Sequence, residues 1–194
     1  MNELETKQEL QLIREMIERT RQATTRAWNY LFFWGILIIL AIAGMYILVF
    51  VKKYHWIWVN WLAFVVIGIA YSIFYVQKQE QGQGVRTYAQ INVAHLSIAC
   101  SVGFITMGLV FPLLGLYPYG VIPVLMSIMA GILFFVLGGI YEWNLLKLCA
   151  AIWWLGAFGM ILLPPEYRSL VFIPLIIVGY FVPGFILRSK YQKS

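Results

Sequence analysis

The chain contains no aspartate, only two histidines and two cysteines, and just 11% of its 194 residues are charged. Each shortage closes off a chemistry. Without aspartate, intramembrane hydrolysis of the aspartyl type is excluded, and no HExxH pairing is present for a zinc protease. His55 and His95 fall at opposite ends of predicted spans, so a histidine-based metal site within one subunit is not expected. Cys100 and Cys149 lie inside predicted spans without CxxC spacing, which suggests neither a disulfide framework nor a zinc cluster. A G-x-S-x-G elbow and a GxxxxGK[ST] loop are missing as well. The expectation is a chain that is not an enzyme and has no cofactor or metal.

Charge is absent over long runs. No Asp, Glu, Lys or Arg occurs between Arg26 and Lys52, between Lys53 and Lys78, between Arg86 and Glu142, or between Arg168 and Arg188. A bilayer-spanning helix needs about 20 mostly apolar residues. Hydrophobic residues make up 62% of the chain and mean hydropathy is +0.80, whereas a soluble domain is about half apolar. The sequence therefore predicts an all-α polytopic membrane protein, with six transmembrane helices in one bundle over residues 28–187. The spans fall near 28–51, 56–77, 91–115, 119–141, 144–163 and 169–187. The uncharged run from Thr87 to Tyr141 is too long for one helix and is divided at Gly115-Leu-Tyr-Pro-Tyr-Gly120, where Pro118 and two glycines favour a turn. Pro164-Pro165 closes the fifth span.

Two polar segments flank the bundle. Residues 1–27 are too polar for a signal peptide, so the first span is expected to serve as its own targeting signal. Within them, residues 3–27 read as an amphipathic cytoplasmic helix. Leu10, Ile13 and Ile17 recur at helical spacing among Glu and Arg residues of mixed sign. Surface-bound helices carry a strongly basic polar face. The mixed pattern here fits helix–helix contact better, with this chain's own bundle, with a second copy or with another protein. Residues 188–194 form a short basic tail.

An even number of spans puts both termini on one side. Eleven of the fourteen basic residues then share that side, and Lys52, Lys53 and Arg168 lie opposite. This distribution predicts a multi-pass protein of the cell inner membrane with both termini in the cytoplasm. The formal charge of +6 follows from topology, and no basic face suited to nucleic acid is visible.

Polar side chains gather in the cytoplasmic half. Asn92 and His95 lie at the start of the third span, and Glu142, Asn144 and Lys147 surround the turn between the fourth and fifth. One reading is a cytoplasm-facing cavity in which His95 and Glu142 take up a proton or a small polar ligand. The other is structural, with His95 bonded to a neighbouring helix and Glu142 and Lys147 forming an interfacial ion pair. The small-residue pairs Ser97/Ser101, Ala99/Gly103 and Ser127/Gly131 predict close helix approach. Pro183 leaves the carbonyl of Gly179 without its helical donor and predicts a kink. Pro123 and Pro174 are expected near the first turns of their helices.

The segment Glu9-Leu-Gln-Leu-Ile-Arg-Glu-Met-Ile-Glu-Arg-Thr20, the opening Trp28-Asn-Tyr-Leu-Phe-Phe-Trp-Gly35 and the ending Tyr180-Phe-Val-Pro-Gly-Phe-Ile-Leu-Arg-Ser-Lys-Tyr191 resemble a group of small, uncharacterised six-span bacterial inner-membrane proteins with an amphipathic N-terminal helix. The resemblance implies the topology and assigns no catalytic or ligand role to any residue. The sequence leads to a non-enzymatic membrane protein acting through protein–protein contact or self-association, with the lipid bilayer as its surroundings. The alternative is a small oligomeric transporter or channel using the cytoplasm-facing polar cavity.

Overall fold

The computed structural model describes residues 29–80 and 88–192. The expected N-terminal helix, with Leu10, Ile13 and Ile17, lies outside the described residues. Among the described residues there is no strand, and six helices are long and apolar enough to cross a membrane. The chain is an all-α polytopic bundle.

Helix α1 spans Asn29–Phe50. Helix α2, Ile57–Glu80, follows a single 3-10 turn at Tyr54–Trp56. Helix α3 begins at Tyr88–Ile105, widens into a π-turn at Thr106–Val110 and ends with Phe111–Leu113. Helix α4 is Ile122–Ile140, and α5 is Asn144–Ile161. Helix α6 runs from Pro165–Ile176 through a π-turn at Ile177–Phe181 into Val182–Gln192.

Among the boundaries that differ from expectation, three have a local reason. Helix α5 ends two residues early, because the position before Pro164 disfavours helical backbone. Helix α6 starts at Pro165, whose missing N–H costs nothing at a first helical position. Pro174 therefore lies well inside α6 instead of near its first turn. The same helix continues through Gln192, so most of the basic tail extends it.

Tight turns join the helices. After α1, the N–H of Lys53 bonds the carbonyl of Leu48 and the N–H of Lys52 bonds that of Val49. The same double bond recurs after α3, around Gly115, and after α4, around Glu142. This arrangement needs a left-handed residue at the turn, usually glycine. Gly115 meets the need at φ +70°, whereas Lys52 and Glu142 adopt φ 56° and 51° with a full side chain.

The core is formed by α4, α5 and α6. Phe134, Ala150, Trp153, Met160 and Ile176 are buried there, joined by Ile42 of α1. Indole rings seat over glycines of facing helices. Trp34 covers Gly68, Trp154 covers Gly131 and Trp153 covers Gly179, each ring so close that it occupies the place a Cβ would take. Helix α1 also packs on α6, through Phe32 edge-on to Phe181 and Phe185. Helix α2 packs on α1, and α3 on α4 through Gly103 and Gly108 against Met129 and Met126. Burial grades accordingly, from 39% of the α6 span down to 11% of α3 and 6% of α2.

Candidate functional site

Among the described residues, the polar groups singled out in the sequence line neither of the two grooves described below. His95 is exposed on α3, and its Nδ1 lies 2.9 Å from the carbonyl oxygen of Ile91, one turn back on the same helix. A carbonyl only accepts, so Nδ1 holds the proton in this bond. Asn92 is half-buried, and Asn144 is exposed. Glu142 is exposed at the left-handed position of the α4–α5 turn. Lys147 lays its stem against Gly138. Among the described residues, no hydrogen bond or ion pair links the side chains of His95, Glu142 and Lys147. Nor do any three His, Cys, Asp or Glu residues gather as metal ligands among the described residues.

Other polar side chains within the spans hold helices together. Asn60 Nδ2 donates to the carbonyl of Ala41 at 2.9 Å, tying α2 to α1. Ser72 Oγ donates to the Gly68 carbonyl at 2.8 Å, and Tyr30 donates in turn to Ser72 at 3.1 Å. Tyr46 donates to the Glu166 carbonyl at 3.0 Å. Arg168 donates through Nε to Leu163 and through Nη1 to Gly120, both at 3.0 Å, and so clamps the turn before α6 to the start of α4. Three buried groups have no hydrogen-bond partner among the described residues: Trp34 Nε1, Ser127 Oγ and Trp153 Nε1.

The two π-turns have a common logic. Each ends one residue before a proline-bearing step: Phe111 N–H bonds the Thr106 carbonyl ahead of Pro112, and Val182 N–H bonds the Ile177 carbonyl ahead of Pro183. In this register the carbonyl that each proline fails to reach lies five residues back, at Met107 and at Val178. Both are met by side chains. Tyr117 donates its hydroxyl to the Met107 carbonyl, and Cys149 points its thiol at the Val178 carbonyl. The expected orphan, the Gly179 carbonyl, is thereby displaced by one residue. A proline followed for its fifth preceding carbonyl would have been the sequence signal.

Two grooves open away from these polar groups. One, of about 320 Å³, lies between α4 and α5 and is lined by Val124, Ile128, Trp154, Ala157, Phe158 and Ile161. The other, of about 370 Å³, lies at the α1–α2 turn and is lined by Leu48, Lys53, Trp56, Val59, Asn60 and Ala63.

No protein-family profile matches the chain, and neither a curated protein nor a solved structure shows significant similarity to it.

Proposed function

We propose that this is a non-enzymatic bacterial inner-membrane protein, with both termini in the cytoplasm, that acts through protein–protein contact or self-association. The observation that supports it is the use of the polar side chains. A transport pathway needs polar groups turned inward through the membrane. Here Asn60, Ser72, Tyr46 and Cys149 are engaged with carbonyls of their own or adjoining helices, and His95 faces outward. What the chain offers to other molecules is surface: the little-buried helices α2 and α3, and the amphipathic segment 3–27. The cytoplasmic side of the termini rests on the eleven basic residues of that side, and the bacterial setting on the resemblance stated above.

Photo-crosslinking in intact membranes tests the reading. A crosslinking side chain placed at Ile13 or Ile17 is expected to yield a discrete protein adduct, either with a second copy or with a distinct partner. Labelling of lipid alone would contradict it.

A further inference from the structure

The topology leaves few cations at the end of the bundle opposite the termini: Lys52, Lys53 and Arg168. Arg168 is engaged, with both Nε and Nη1 on backbone carbonyls. Lys52 and Lys53 are exposed and make no ion pair among the described residues, and the one described acidic side chain at this end, Glu166, pairs with neither. Lys52 stands moreover at φ 56°, where glycine would relieve strain. A charge is thus held at a position that backbone geometry alone would give to glycine.

Beneath the lysines opens the groove between α1 and α2. Lys53 and Trp56 stand at its mouth, while Leu48, Val59 and Ala63 line an apolar course toward the membrane interior. Asn60, the polar residue of the lining, is engaged through Nδ2 with the Ala41 carbonyl and lies over Gly44. Trp56 is half exposed, as an interfacial indole should be. Cations at the end of a mostly apolar furrow complement one class of molecule, a two-part amphiphile with a negative head. Its volume of about 370 Å³ suits part of one acyl chain.

We infer that the α1–α2 groove is a binding site for an anionic phospholipid, with Lys52 and Lys53 on the phosphate and an acyl chain along Leu48, Val59 and Ala63. A lysine near an anionic surface contributes roughly a fivefold gain in binding. The inference does not depend on the proposed protein contacts.

The test uses the full-length protein, delipidated in detergent and exposed to equal amounts of phosphatidylglycerol and phosphatidylcholine, with bound lipid read by native mass spectrometry. The wild type is expected to retain one phosphatidylglycerol in preference. Lys52→Gly and Lys53→Gln should each weaken that preference roughly fivefold. Lys52→Gly removes the charge while easing the turn, so it is expected to fold at least as well as the wild type. Ala63→Phe fills the groove, keeps both charges and should also reduce retention. No preference in the wild type would overturn the inference, as would equal retention by the lysine variants, the result expected if the lysines serve only the negative end of α1. Full retention by Ala63→Phe would overturn it too.

Discussion

The thiol of Cys149 on α5 lies 3.9 Å from the carbonyl oxygen of Val178 on α6, the carbonyl that Pro183 cannot bond. The contact joins a sequence feature, a proline late in a span, to a tertiary one, a cysteine two turns into the preceding helix. A free carbonyl inside a membrane is costly, because no water is there to meet it.

Cys149→Ala should therefore destabilise the bundle by about 1–2 kcal/mol, from the lost donor and the small void together. In a Pro183→Ala background a backbone N–H is restored, so the same change should cost less. A double-mutant cycle on unfolding in detergent measures the difference. Full additivity would mean that the thiol and the π-turn are unrelated.

Tyr117 performs the matching task for the Met107 carbonyl, and burial pushes its hydroxyl above the usual tyrosine range. The folded state thus holds this proton more tightly than the unfolded chain. The stability it contributes is whole below about pH 10 and declines as pH rises beyond that. Tyr117→Phe should be less stable than the wild type at neutral pH, and the gap should narrow in alkali. Unfolding followed at both pH values decides it.

The glycines under indole rings should not tolerate a methyl group. Gly179→Ala sets a Cβ against the buried Trp153 ring and should cost about 1–3 kcal/mol. Gly159, also helical, has open space around its would-be Cβ, so Gly159→Ala should be neutral or stabilising by up to about 1 kcal/mol. Thermal unfolding of the two variants side by side is the check.

Glu142 is a turn residue in this account. Glu142→Gly should raise stability by about 1 kcal/mol by removing the left-handed strain. A loss of stability would show that its carboxylate has a partner of consequence.

The six spans were legible because charge is so costly in hydrocarbon that its absence marks each one. Turns at Pro164 and Gly115 were legible for local reasons. The π-turns were not, since Pro183 alone does not say whether the helix stays narrow and orphans Gly179 or widens and orphans Val178. The second outcome depends on Cys149, a residue of another helix. The pairing of Trp153 with Gly179 is hidden likewise, because spacing along one helix does not name its neighbour. The surroundings of the polar residues on α3 and at the α4–α5 turn were hidden for a different reason. Glu142 sits where glycine is usual and His95 bonds a carbonyl of its own helix, relationships that spacing along the chain does not show.

Whether the protein works through contact by segment 3–27 is decided by native mass spectrometry after gentle extraction from its own membrane. It compares the wild type with His95→Ala and with the double variant Ile13→Glu/Ile17→Glu. A protein complex, with a second copy or a distinct partner, is expected in the wild type and in His95→Ala, and its loss in the double variant. A complex that survives the double variant, or a retained small molecule that disappears with His95→Ala, would contradict it.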